Sequence, residues 1–374
     1  MTKILFFIET LTGGGAEKVL RTLVNHMDQT RFEITVQTVE QADPKGLLAP
    51  GIRYQSINRC RTRLGKKLFS LWIRLCAQLK WLYPLYIRDD YDIEVAYLEC
   101  GSTKIMAGST DQKALKLAWV HCDLEKKEGF AEIAQQQKQY YQAFDKVVCV
   151  SEQVKKSFAN LIGNSPEAVV LYNVNDEQEI VQKATAFAVE KPQKMTFAAV
   201  GRLSYEKGND RLLNACSMLR EQRYDFELWL IGDGNERKRL EQQVKEQSLD
   251  RQVRFLGFQE NPYPYMAAAD AIVCPSRYEG FSTVVTEALI LGKPVVTTPC
   301  SGMDELLGSC EYGLITEDSV EGIRSGMKRL LEDPHLRASY AEAAKGRGRD
   351  FSKAKLVSDT ERFLHQELAN KRGG

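Results

Sequence analysis

Short apolar runs recur along this chain, each followed by a longer or helically patterned stretch, and that alternation limits the fold more than any other feature. In the first half the runs fall at 4–8, 32–38, 93–98, 115–120 and 146–150. From 194 onward they return more cleanly, at 195–200, 226–231, 253–256, 271–275 and 293–298. Buried strands separated by crossover helices are the signature of parallel α/β sheets. Two doubly wound sheets in tandem are the economical reading, and 374 residues are enough to give each its own core. The junction is expected between Asn173 and Lys194, where the polar stretch Asn173 to Glu177 is followed by Glu190-Lys191-Pro192-Gln193. Ser352 is expected to cap a last helix running through Leu356, Phe363, Leu364 and Leu368, with Lys371 to Gly374 frayed.

Composition excludes several classes. A net charge of +1 and 43% hydrophobic residues describe a soluble globular chain. No stretch approaches the roughly 18 to 20 apolar residues of a membrane span. The start, Met1 to Glu9, reads as a buried strand rather than a secretory signal, which leads to a cytoplasmic expectation. Nine cysteines, odd in number and never spaced C-x-x-C, point to reduced thiols, and four histidines make a multi-histidine metal centre improbable.

The chemistry concentrates in the second half. Glu279 and Glu287 lie between the apolar runs 271–275 and 293–298, with helical spacing from Ser282 to Leu291. In a strand, loop, helix, strand unit, ligands bind beyond the carboxyl ends of strands, so Glu279 falls on the binding edge and Glu287 about two turns into the helix. Carboxylates accept hydrogen bonds from sugar hydroxyls, and backbone amides at a helix start favour phosphate. Gly280 lets the main chain approach closely, and Ser282 and Thr283 offer hydroxyls. The alternative is an exposed loop acid and a solvated helix acid. Upstream, Gly201-Arg202-Leu203-Ser204-Tyr205-Glu206-Lys207-Gly208 follows the run 195–200 and supplies a forked guanidinium and a compact ammonium, which suit a diphosphate. Gly232-Asp233-Gly234 adds a third loop on the same edge.

The loop from Gly201 to Gly208, the Gly232 turn and Glu279-x7-Glu287 together resemble the retaining glycosyltransferases of family four. Gly13-Gly14-Gly15-Ala16-Glu17, placed like that family's glycine-rich turn, extends the likeness over the whole chain. The resemblance implies the GT-B fold, two Rossmann-like domains facing a cleft, with the last helix crossing back to the amino-terminal domain. The domains would be 1–173 with about 355–374, on the acceptor side, and 174–354, which binds a nucleotide-sugar. It implies that Arg202 and Lys207 hold the donor diphosphate, that Glu279, with Gly280, Phe281, Ser282 and Thr283 close by, contacts the transferred sugar, and that Glu287 holds the ribose. Gly14 and Gly15 would approach the donor phosphate or the acceptor. His121, directly after the run 115–120, would touch the acceptor hydroxyl or the donor sugar; the alternative is a hydrogen-bonded loop histidine. His26, His335 and His365 read as surface residues.

The expected activity is transfer of a sugar from a nucleotide donor, expected to be a UDP-sugar, to a lipid-linked or growing glycan acceptor in cell-surface polysaccharide synthesis, with no cofactor and no metal. Asp90-Tyr91-Asp92 matches a D-x-D metal motif, yet it leads directly into the run 93–98 and reads as polar residues at a strand entrance. The rival is a non-catalytic glycan- or nucleotide-binding subunit. A dinucleotide oxidoreductase is disfavoured because Gly13-Gly14-Gly15 lacks the G-x-G-x-x-G spacing. Segment 59–88 carries eight basic and no acidic side chains, interleaved with Trp72 and Trp81. That pattern suits an anionic membrane surface, which places the protein peripherally on the inner face of the cell membrane; a protein neighbour is the alternative, and nucleic acid lacks a motif.

Overall fold

The computed structural model describes residues 1–58, 72 and 81–373. The chain divides into two compact units: Met1–Val174 with Ala354–Gly374, and Asn175–Lys353.

The first unit is built on a parallel sheet of β1 (Thr2–Ile8), β2 (Phe32–Glu40), β3 (Arg53–Asn58), β4 (Ile93–Ala96), β5 (Leu115–Val120), β6 (Lys146–Cys149) and β7 (Glu167–Val170). Its strand order is β3-β2-β1-β4-β5-β6-β7. The central strands are buried on both faces, as their unbroken apolar sequences require: Ile4 to Ile8 and Leu115 to Val120 are inaccessible or nearly so. β3 and β7 are the two edges, and both are only partly buried. The second unit repeats the plan with β8 (Met195–Val200), β9 (Phe226–Ile231), β10 (Val253–Gly257), β11 (Ala271–Cys274), β12 (Val295–Thr297) and β13 (Leu314–Ile315), in the order β10-β9-β8-β11-β12-β13. One face packs Phe197, Leu228 and Leu230 against Leu212, Leu219 and Met327 of its helices. Each such fully buried side chain contributes about 1.5–3 kcal/mol.

Short polar residues start the helices where the chain leaves a strand or loop. Ser151, Asp176, Ser282, Ser319 and Asp333 each accept a hydrogen bond from a backbone amide of the following turn.

Two expectations need correction. The last helix, Lys353–Gly373, does not fray at Lys371: that ammonium lies 2.6 Å from Asp145, and Arg372 pairs with Asp92. Cations at a helix carboxyl end also complement its dipole. Further up the same helix Leu356, Leu364 and Leu368 are buried, and Glu361 accepts from the Asp28 amide at 2.6 Å. The sheets also contain strands that the apolar runs did not disclose, at Arg53–Asn58, Glu167–Val170 and Leu314–Ile315. Lys293 and Pro294 precede β12 rather than join it, although the Pro294 carbonyl accepts from Ile272.

Much of segment 59–88 lies outside the described residues. Of its described part, Trp72 and Trp81 are exposed, as is Leu85 in the short helix Leu82–Tyr86. No helix among the described residues is long and apolar enough to cross a membrane.

Candidate functional site

In each sheet the strand order reverses once, between β1 and β4 and between β8 and β11. Loops leaving such neighbours diverge, and a crevice opens beyond the carboxyl ends of the strands. The strongest candidate residues lie at these two points.

In the second unit the loop after β8 turns through one 3-10 turn, Tyr205–Lys207, and stops at Gly208, whose φ of 65° is left-handed. A Cβ there would overlap the Pro275 carbonyl oxygen, so only glycine lets this loop press against the exit of β11. The result is a contact across the reversal: Lys207 Nζ lies 2.7 Å from Glu279 Oε1, and the Ser276 hydroxyl donates to the same oxygen at 2.6 Å. Burial opposes the charge on Lys207, but Glu279 outweighs it and holds the ammonium above its ordinary range. The contact is braced on both sides. Arg277 grips both carboxylate oxygens of Asp210 at 2.8 and 2.7 Å and stacks over the Tyr205 ring at 4.0 Å. Arg211 donates to the carbonyls of Pro275 and Ser276 at 2.8 and 3.0 Å.

The Gly232 turn joins the same edge. Leu203 N donates to Asp233 O at 3.0 Å and Glu236 N to Leu203 O at 2.9 Å, while a Cβ on Gly232 would overlap the Gly201 carbonyl. Arg202 is exposed on this stitched pair of loops.

Beyond Glu279 the chain enters the helix Thr283–Ile290. Gly280, Phe281 and Ser282 are buried: Phe281 meets Phe351 edge-on at 5.7 Å, and Ser282 caps the helix by accepting from Val285 N at 3.4 Å. Thr283 is half-buried at the first helical position. Glu287 is the fifth residue of this helix, so it stands little more than one turn in rather than two. It is 4% exposed and accepts from the Tyr263 hydroxyl at 3.1 Å, which with burial pushes that phenol upward. A buried carboxylate at a helix start is not the solvated acid that an arbitrary glutamate would be.

In the first unit Gly14 precedes and Gly15 opens the helix Gly15–His26 after β1. His121 follows β5 directly, its ring 4.8 Å from that of Tyr97. Burial is the main reason its pKa falls to about 4, so the imidazole is neutral. Its neighbours carry no motif or spacing that would have disclosed them. Glu99, buried beyond β4, accepts from His121 N at 3.1 Å and Cys122 Sγ at 3.0 Å, and pairs with Lys127 at 2.9 Å. Burial works against this carboxylate, yet Lys127, the Cys122 thiol and His121 hold its pKa at about 2. Glu9, immediately after β1, has its pKa raised by burial and by repulsion from Glu99. The signal available beforehand was position alone: Glu9, Glu99 and His121 all sit just past carboxyl ends of β1, β4 and β5, which are adjacent in the sheet.

Asp92 is engaged elsewhere, receiving the Lys3 amide at 2.8 Å besides Arg372. Among the described residues no group of three or more His, Cys, Asp or Glu could hold a metal ion.

Residues 181–347 match the family described as glycosyl transferases group 1. Over 197 residues the chain is 36% identical to a 4-alpha-N-acetylgalactosaminyltransferase of Campylobacter jejuni whose full name specifies a diphospho-undecaprenol-linked substrate, covering 52% of this chain and 53% of that one. The chain spans 53% to 60% of the length of such curated relatives. Two solved structures share the fold over nearly all of it. Sucrose-phosphate synthase from Thermosynechococcus elongatus superposes with a TM-score of 0.81 at 18% identity, covering 99% of this chain and 100% of that one. HepE from Anabaena, solved with UDP-glucose, does so with a TM-score of 0.76 at 21% identity, covering 98% and 100%. Two parallel α/β sheets of this kind constitute the GT-B fold.

Proposed function

We propose, from the premise that residues 181–347 are a group 1 glycosyl transferase module, that this chain transfers a sugar from a nucleotide-sugar to a glycan acceptor in polysaccharide or lipopolysaccharide synthesis. The observation that carries the reading is the contact between Lys207 and Glu279 across the strand reversal, which joins a cationic loop to a hydroxyl-binding acid in one place. Arg202 and Lys207 take the diphosphate and stabilise the charge that grows on the leaving nucleoside diphosphate. Glu279 accepts from hydroxyls of the transferred sugar beside the main chain of Gly280 to Thr283, and Glu287 binds the ribose. Gly14, Gly15 and His121 serve the phosphate and acceptor side. The donor is read as a UDP-sugar, a choice supported by the UDP-glucose bound to the Anabaena protein.

Three finer points belong to the same reading. Transfer retains the anomeric configuration, with the donor phosphate receiving the acceptor proton. No metal is needed, because the two cations supply the charge. The acceptor is lipid-linked and met at an anionic membrane face through segment 59–88, a reading supported by the diphospho-undecaprenol in the Campylobacter relative's name. Incubation with UDP-, GDP- and ADP-sugars, with and without chelator, tests it: hydrolysis or transfer from a UDP-sugar that survives chelation is expected. Loss of activity in chelator with recovery on adding Mg²⁺ or Mn²⁺ contradicts metal independence, and binding of a nucleotide-sugar with no turnover favours the non-catalytic subunit.

A further inference from the structure

A lysine ammonium rides on a flexible four-carbon stem, so its place depends on where the main chain beneath it is held. Lys207 lies 2.7 Å from Glu279, and its main chain is fixed on both sides. After it, Gly208 packs so closely on the Pro275 carbonyl that a Cβ would overlap the oxygen. Before it, Arg277 reaches back across the strand reversal. The Arg277 amide donates to the Glu206 carbonyl at 2.8 Å, and its Nη1 donates to the Tyr205 carbonyl at 2.7 Å.

The guanidinium that makes this contact is itself anchored. Its two terminal nitrogens fork onto the two carboxylate oxygens of Asp210, in the first turn of the helix Asn209–Glu221, at 2.8 and 2.7 Å. The Tyr205 ring covers it at 4.0 Å, and the Arg277 and Asp210 side chains are only 19% and 17% exposed. A forked pair shielded from water is stronger and more directional than an open ion pair, and a lysine cannot reproduce it. Arg239, also near Asp210, stands 3.9 Å away and is 58% exposed, so it does not supply the fork. Asp210 thereby ties to one point the loop that carries Lys207, the loop that carries Glu279 and the start of the helix between them in sequence.

We propose that Arg277, held by Asp210, is a positioning residue, which sets the main chain before Lys207 so that the ammonium meets Glu279 and the diphosphate of an arriving donor. This rests on the reading above that Lys207 serves the diphosphate. Arg277 need not touch the ligand, because what it supplies is the place of another charge. A displacement of about 1 Å at such a group is enough to cost about a hundredfold in rate. Arg277 and Lys207 then contribute one effect between them, not two.

Two measurements test the proposal. Amide hydrogen exchange of the full chain needs no substrate. The amides of Lys207 and Gly208, bonded to the Ser204 and Tyr205 carbonyls, should exchange about tenfold faster or more in Arg277→Lys, while β8 and β11 stay protected. Unchanged exchange in that loop, or loss of protection throughout the second unit, overturns the positioning role. In kinetics, Arg277→Lys and Asp210→Asn, which keep side chains of similar size, should each lower kcat by about tenfold to a hundredfold. Arg277→Lys should cost little more once Lys207 is alanine, since residues that act as one unit are not additive. The same fold loss in that double variant as in the single one shows Arg277 acting apart from Lys207 and overturns the proposal, as does an unchanged kcat in both single variants. If the wild-type chain turns over no nucleotide-sugar, the functional reading fails, and exchange still decides whether Arg277 holds the loop.

Discussion

At the scale of single residues, Lys207 and Glu279 act as a pair before any ligand arrives, since each neutralises the other at 2.7 Å. Lys207→Ala should lower turnover by about a hundredfold to a thousandfold, the range for loss of one donor to developing charge. Steady-state kinetics check it, and a loss confined to donor KM would mean that the lysine only binds. His121 gives a prediction about pH. Its pKa lies near 4 in the folded chain against an ordinary 6.5, because burial outweighs the opposing charge of Glu99. Between those values the unfolded chain binds more protons than the folded one, so stability is complete above about 6.5 and declines as pH falls toward 4. A second loss follows below 4.5, where Glu99 keeps its charge down to about 2 and the unfolded carboxylate does not. In His121→Gln the upper slope should flatten while the lower one stays, as read from urea midpoints across pH 4 to 7 and below. Lys207 and Glu279 were legible in the sequence because each belongs to a loop between two clear apolar runs. Glu99 was not, because nothing in the spacing of residues 99, 121, 122 and 127 shows that one carboxylate gathers the other three.

At the scale of elements, the site depends on two loops that only glycine permits. Gly208 and Gly232 both have positive φ and both have a carbonyl where a Cβ would go, on Pro275 and Gly201 respectively. Gly232→Ala should therefore destabilise the second unit by about 1–3 kcal/mol and weaken donor binding together. A denaturant midpoint within error of the wild type would refute that account of the loop. The final helix makes the opposite point. Its apolar stripe predicted one packed helix, but not that Lys371 and Arg372 would be secured by Asp145 and Asp92. Helical periodicity reports a helix's own buried face and is silent on charges far away in the chain. The central strands were legible for a similar reason, being apolar without a break. β3, with the sequence Arg-Tyr-Gln-Ser-Ile-Asn, lies at an edge and buries too little to produce such a run.

At the scale of the whole molecule, one plan is used twice: a parallel sheet whose order reverses once, with ionisable groups gathered past the strand ends at the reversal. The first unit supplies Glu9, Glu99, His121 and Lys127; the second supplies Arg202, Lys207 and Glu279 with Glu287 behind them. The two clusters differ in kind. The second combines an exposed cation, Arg202, with a buried acid, Glu287, whereas the first centres on a buried carboxylate that gathers an amide, a thiol and an ammonium. The membrane reading belongs at this scale too, because it concerns where the chain works: sedimentation with anionic vesicles at moderate salt should show binding that weakens when the basic residues of segment 59–88 are neutralised, and absence of binding would remove it. The central claim is that the second unit is a nucleotide-sugar site held by its two cations. Ligand-observed NMR of the full chain against UDP-, GDP- and ADP-sugars tests it most directly, with Arg202→Ala and Lys207→Ala run beside the wild type. Saturable binding of a UDP-sugar that falls about tenfold or more in each variant is the predicted result. Binding of none of the three, or binding that both variants leave unchanged, would contradict it.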